Sequence, residues 1–134
     1  MPSVQAPLKA FVVEDSPVIR ENLISTLQEL AAIDVIGAVE TQREAIAQLT
    51  DDHLACDLVI IDIVLKDGTG LGILTEPSLY RDERKFVVLT NYATHQIRRR
   101  CAELGVDRVF DKSNEIEALV DYCQELALRK TRPH

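Results

Sequence analysis

Leu58-Val59-Ile60-Ile61-Asp62 is the stretch on which the fold turns. Four large apolar residues run without a break and end at an acid. The run is short and rich in β-branched residues, which suits a strand buried on both faces. Such a strand carries Asp62 to the carboxyl edge of a sheet, where open α/β sheets bind their ligands. Ile63 to Gly70 then leaves the strand through a glycine-containing turn. Taken alone, Asp62 reads as well as a plain strand end or helix cap as it does as a functional acid.

Working outward, similar strands recur. Leu8 to Val13 reads as a first strand, closed by Glu14-Asp15-Ser16-Pro17. Ser16 suits a helix N-cap and Pro17 the first helical position. The helix they open carries Ile19, Leu23, Leu27 and Leu30 on one face and ends near Ala32. A second strand follows over about 34–39. Thr41-Gln42-Arg43-Glu44 has the form of a capping box opening a helix to about Leu49. Beyond Asp62, a Gly68–Gly72 turn leads to a short helix reaching about Thr75, which Pro77 ends or displaces. Tyr80 to Lys85 is strongly charged and reads as a surface loop.

Phe86 to Thr90 is another buried-type strand. Thr94 caps a helix with Ile97, Cys101 and Leu104 inward, and Gly105 marks its stop. Arg108 to Asp111 makes a last strand, followed by Lys112. Ser113 is expected to cap a final helix with Glu115 and Glu117 in its first turn. Its apolar face is Ile116, Leu119, Val120, Cys123 and Ala127.

Strands alternating with helices five times predict a parallel sheet with helices on both faces and right-handed crossovers. Every strand then delivers its C-terminal residues to one edge. Glu14 and Asp15, Asp62, Thr90 and Lys112 follow different strands and are expected to converge there.

Composition narrows the function. The chain has 134 residues, 46% of them hydrophobic, and a net charge of −7. That is room for one globular domain, with a charge that argues against coating nucleic acid. Cys56, Cys101 and Cys123 are odd in number and without a CxxC pair, as in a reduced cytoplasmic protein. Met1 to Gln5 has no signal-peptide pattern, and no apolar run approaches the ~18 residues of a membrane span. His53, His95 and His134 show no metal-ligand spacing with the cysteines.

The converging residues suggest phosphoryl chemistry. Three carboxylates in one cleft need a cation to stay ionised together, and oxygen donors of this kind suit Mg²⁺. Asp15 and Asp62 are the better ligands, with the Val64 backbone carbonyl as a third oxygen. Glu14 is placed against a metal-bound water. A lysine and a cation flanking an aspartate form a clamp for a phosphoryl group. Asp62 would be the nucleophile, forming an acyl phosphate, with Thr90 donating a hydrogen bond to a phosphoryl oxygen. Each residue has a plainer reading: helix-start acids, a strand-end threonine, a solvated lysine. Their joint occurrence after the right strands is what speaks against those readings.

This ordered set resembles the receiver domain of two-component response regulators, over roughly Leu8 to Leu128. The residues that carry the resemblance are Glu14-Asp15, Leu58–Asp62, Asp67-Gly68, Thr90 and Lys112. It implies a flavodoxin-like fold, a doubly wound five-stranded parallel sheet of order 2-1-3-4-5. Residues 1–7 are then an N-terminal extension, 8–128 the receiver and 129–134 a basic tail, in a stand-alone, single-domain protein. It also implies phosphotransfer to Asp62 from a phosphohistidine on a sensor histidine kinase or phosphotransfer protein, with Mg²⁺ or Mn²⁺. The output is then a switched protein-binding surface rather than an enzyme activity, with no direct nucleic-acid or membrane partner.

By the same resemblance, Val64 and Tyr92 flank the path of the water that hydrolyses the acyl phosphate. Many receivers carry proline where Lys66 and Ser113 stand here, and an inward-swinging aromatic where Val109 stands. Phe110 is adjacent but, by strand alternation, faces the other way.

Three other readings are weaker. A haloacid-dehalogenase-type phosphatase needs an acid at position 64 and a nucleophile after the first strand. A nucleotide or flavin module needs a glycine at position 73, where Ile73 stands, or a phosphate loop that Glu14–Pro17 lacks. A phosphorylation-independent binding module would not need the intact Asp62, Thr90 and Lys112 set.

Overall fold

The computed structural model describes residues 7–81 and 83–131. Five strands are separated by helices: β1 (Leu8–Val13), α1 (Pro17–Leu30), β2 (Ile33–Val39), α2 (Gln42–Leu49), β3 (Leu58–Ile61), α3 (Gly70–Leu74), β4 (Lys85–Thr90), α4 (His95–Glu103), β5 (Arg108–Asp111) and α5 (Ile116–Thr131), with a short 3₁₀ turn at Pro77–Leu79. All strand pairs are parallel, in the order β2-β1-β3-β4-β5. This is the doubly wound, flavodoxin-like sheet expected from the alternation of elements.

The continuous apolar runs fill two cores, one on each face. Ala10, Val12, Leu58, Ile60, Val87, Leu89 and Phe110 pack with Leu23 and Leu27 of α1 and Leu119, Val120 and Cys123 of α5. Phe11, Val13, Val59, Ile61, Phe86 and Val88 point the other way, against Ala45, Leu49, Ile73, Leu74 and Cys101. Period-two alternation along each strand serves both layers at once.

Local chemistry sets most helix ends. Ser16, Thr41 and Thr94 each accept a backbone N–H from three residues ahead. Glu44 reaches back over the start of α2 in a variant of the capping box, accepting the Thr41 hydroxyl at 3.0 Å and the Glu40 N–H at 3.4 Å. Gly105 follows α4 with φ +90°, the left-handed stop that favours glycine.

Several expectations are corrected. Ser113 does not cap α5, which begins at Ile116. Glu115 instead accepts the Asp111 N–H at 2.8 Å, and Asp111 accepts the Ser113 N–H at 2.7 Å. The turn after β5 thus closes on its own acids before the helix starts. Ile19 and Leu30 are not core residues: Leu30 is 59% exposed, and burial on α1 is confined to Leu23 and Leu27. On α5, Leu126 joins the buried face as well, and Ala127 packs against the same core partly buried. Gly70 and Gly72 lie within α3, capped by Thr69, rather than in a turn.

The Tyr80–Lys85 segment hides Arg84, which is only 8% exposed. Its guanidinium donates to the carbonyls of Leu49, Leu79 and Leu54 at 2.8, 3.0 and 3.3 Å, joining the end of α2 to two loops. Helix α5 runs on through Arg129 and Lys130, which occupy its last turn. The expectations for Met1 to Gln5, Arg132 and His134 lie outside the described residues. No helix among the described residues is long and apolar enough to cross a membrane.

Candidate phosphorylation site

Parallel pairing brings four strand ends to one edge. The register places Val13 beside Ile61, Ile61 beside Val88, and Thr90 beside Asp111. Glu14, Asp62 and Lys112 each follow one of these strand ends. Backbone bonds extend the ladder past the strands: Glu14 N–H to Val39 O, Asp62 N–H to Val13 O, and Lys112 N–H to Thr90 O, all at 3.0 Å. The backbone on which these side chains stand is therefore fixed.

Glu14, Asp15 and Asp62 each direct one carboxylate oxygen into a cluster whose atoms lie within 4.8 Å of one another. Glu14 and Asp62 are buried and Asp15 is partly exposed. Lys112, which follows β5, reaches two of these acids. Its Nζ stands 2.5 Å from Glu14 Oε1 and 2.7 Å from Asp62 Oδ2. Burial alone would lower the Lys112 pKa. Hydrogen bonds and Coulomb attraction from Asp62 and Glu14 outweigh it and raise the pKa above the ordinary lysine value, so the ammonium is charged at neutral pH.

Glu14 is also fixed by its own helix start. Its Oε2 accepts the Ser16 N–H at 3.0 Å, and its carbonyl accepts from Arg20 Nη1 at 3.0 Å. Glu14 also makes a direct ion pair with Lys112, a contact that the sequence does not disclose. Asp15 has no hydrogen-bond or ion-pair partner among the described residues. Three carboxylates thus face one ammonium, leaving two negative charges uncompensated in a half-buried cleft. That donor set fits a hard divalent cation.

Thr90 is fully buried, and its hydroxyl accepts the Tyr92 N–H at 3.2 Å. Val64 is 50% and Tyr92 56% exposed. The Val64 N–H donates to Asp62 Oδ1 at 3.4 Å. Val109 and Phe110 face opposite sides of β5: Val109 packs against the α2–α4 layer, and Phe110 lies in the α1–α5 core. Phe110 sits 5.8 Å from the Tyr122 ring, so it is tied into a core and turned away from the Val109 side.

Two features escaped the sequence reading. Arg98 of α4 donates to Ala93 O, Val109 O and Glu115 Oε1 at 3.2, 3.1 and 3.1 Å, linking the loop after β4 to β5 and the start of α5. Gln42 of α2 binds the loop after β3. Neither lies next to a strand end, so the rule that found the other residues passes over them.

The sequence profile of the response regulator receiver domain matches residues 10–124. The chain belongs to this family. The receiver is 27% identical over 124 residues to the response regulator protein VraR of Staphylococcus aureus, an alignment covering 92% of this chain and 56% of VraR. It therefore spans just over half the length of that relative. Its structure is similar to that of the non-phosphorylated HemR receiver domain from Leptospira biflexa, with a TM-score of 0.74, 28% identity, and coverage of 95% of this chain and 98% of HemR. The Mn²⁺-bound form of response regulator Rcp1 shares the fold, with a TM-score of 0.71 at 22% identity, covering 90% of this chain and 91% of Rcp1.

Proposed function

We propose that this receiver takes a phosphoryl group onto Asp62 from a phosphohistidine of a sensor histidine kinase or phosphotransfer protein. The observation that carries the proposal is the Asp62 carboxylate itself. It is buried at the sheet edge, with the Lys112 ammonium 2.7 Å from one oxygen and the Glu14–Asp15 acids beside it.

In the transfer, an Asp62 oxygen attacks phosphorus, the P–O bond forms, and the P–N bond breaks. The electron pair of that bond leaves with the imidazole. Lys112 is already within reach of Asp62 and stays close to the oxygens that carry charge as the bond forms. Thr90 supplies a hydroxyl from the end of the neighbouring strand.

Asp15, Asp62 and the Val64 carbonyl would hold a Mg²⁺ or Mn²⁺ ion, with Glu14 acting through water. When bound, such an ion offsets the negative charge of the acids and of the incoming phosphoryl oxygens. The switched output is a protein contact, and the charge of −7 fits no direct nucleic-acid role. The three free thiols fit a reducing compartment such as the cytoplasm.

The phosphatase reading has nothing to support it at the site. Position 64 holds a valine, and Asp62 follows β3 rather than β1. Incubation with phosphoramidate, a P–N donor, tests the proposal. One phosphoryl group should be added per chain in the presence of Mg²⁺. None should be added after chelation, or in Asp62→Asn. Full modification of Asp62→Asn would overturn it.

A further inference from the structure

The loop between β3 and α3 is held from outside by the first residue of α2. The Gln42 N–H donates to Asp67 O at 3.0 Å, and its side-chain Oε1 accepts the Thr69 N–H at 2.9 Å across 27 residues. Thr41 adds a parallel bridge to Asp67.

The Gln42 side chain fits because two neighbours lack one. A Cβ on Gly72 would stand 2.5 Å from Gln42 Oε1 and 2.6 Å from Nε2, and one on Gly68 would stand 2.4 Å from Gln42 Cβ. Gly68 also sits at φ +85°, where a side chain is strained. The contacts continue inward. Thr69 forms an antiparallel bridge with Val64, and the Val64 N–H donates to Asp62 Oδ1. Gln42 is the outer end of a chain of contacts that ends on Asp62. Lys66, midway along the loop, is exposed, and its one ion-pair partner among the described residues is Glu40, at 3.9 Å.

We propose that Gln42 is a positioning residue for the phosphorylation site, fixing Thr69 and through it the placement of Val64 beside Asp62. The inference rests on the reading of Asp15, Asp62 and the Val64 carbonyl as divalent-cation ligands. Without the amide oxygen of Gln42, residues 64–69 gain conformations. The entropy of ordering them is then charged to cation binding.

Two independent variants break the contact. Gln42→Ala removes the acceptor. Gly72→Ala keeps Gln42 but puts a methyl where its flexible tip lies. That change also suits the helix, because alanine favours helix over glycine, so it remains informative if Gln42→Ala fails to fold. Gln42→Glu retains an acceptor oxygen and serves as the rescue.

The readouts are amide hydrogen exchange at Thr69 and Val64 without metal, and the Mg²⁺ dissociation constant from a thermal-shift titration. Both disrupting variants should speed exchange at Thr69 and weaken Mg²⁺ binding on the order of 10-fold, as loss of a ligand-orienting contact does. Gln42→Glu should stay close to wild type in both. Unchanged exchange at Thr69, unchanged Mg²⁺ affinity in both disrupting variants, or a loss in Gln42→Glu equal to that in Gln42→Ala would each overturn the positioning role. Wild-type protein that binds no Mg²⁺ would instead overturn the cation reading, and this inference with it.

Discussion

Lys112 and Glu14 stand 98 residues apart in sequence, yet their charged atoms lie 2.5 Å apart at the edge of the sheet. Glu14 is buried, so the pair is held away from water on the carboxylate side. Removing one partner leaves a buried charge unpaired and, in addition, three mutually repelling acids. Lys112→Ala should therefore lower the stability of the metal-free protein by about 3 kcal/mol. Millimolar Mg²⁺ should restore part of the loss, because binding to the native state alone stabilises it. Urea melts with and without Mg²⁺ check this, with Asp15→Ala as the variant in which the Mg²⁺ effect is expected to vanish.

Phosphorylation adds about −1.5 to −2 charges and new acceptor oxygens. Thr90 can donate its hydroxyl proton to them while its oxygen still accepts the Tyr92 N–H, so a movement of the hydroxyl toward the phosphoryl group is passed to the loop between β4 and α4. Arg98 ties that loop, through Ala93 O, to Val109 and Glu115. Amide exchange should therefore change over residues 90–95 and the first turn of α4, and extend to the start of α5. In Arg98→Ala the change should stop at α4. Changes confined to α1 in wild type would contradict this.

Water attacking the acyl phosphate passes between positions 64 and 92 if the receiver behaves as proposed. Val64 and Tyr92 are both exposed. Neither carries a carboxylate or amide to orient that water. The phosphorylated form should decay slowly after donor removal, and Val64→Asn or Tyr92→Glu should speed decay several-fold. Fast decay in wild type, unmoved by either change, would show that these positions do not govern water access.

The thiols offer a test of the packing. Burial pushes Cys123 up to about 12 and Cys56 up to about 11. A thiol with a raised folded-state pKa binds its proton more tightly in the native state. Stability is then independent of these groups below the ordinary thiol pKa and falls as pH rises above it. Chemical melts at pH 8 and pH 10.5 should show lower stability at the higher pH. At pH 8, alkylation of Cys101 and Cys123 should wait for unfolding.

What the sequence disclosed depended on the kind of signal. Unbroken apolar runs such as Leu58–Ile61 and Phe86–Leu89 marked buried strands, and parallel topology then required their trailing residues to meet. That is why Asp62, Thr90 and Lys112 were legible from strand ends alone. Amphipathic faces were less reliable. The α1 spacing points to burial of Ile19 and Leu30, but these stand in the first and last turns of the helix, and only Leu23 and Leu27 between them are buried.

Long-range polar contacts left no local trace. Arg84 reads as one more surface charge in a polar segment, because two of its three carbonyl partners, on Leu49 and Leu54, lie at least 30 residues away. Gln42 looked like an ordinary position within a capping box. Its partner Thr69 lies in a loop that only the fold brings near.

The most direct test of the central claim traps the modified residue chemically. Borohydride reduces an acyl phosphate on an aspartate to the alcohol, converting that residue to homoserine. After phosphorylation with phosphoramidate and Mg²⁺, peptide mapping of the reduced protein should find homoserine at position 62 and at no other aspartate. Homoserine at another position, or none despite addition of a phosphoryl group, would contradict the assignment of Asp62 as the acceptor.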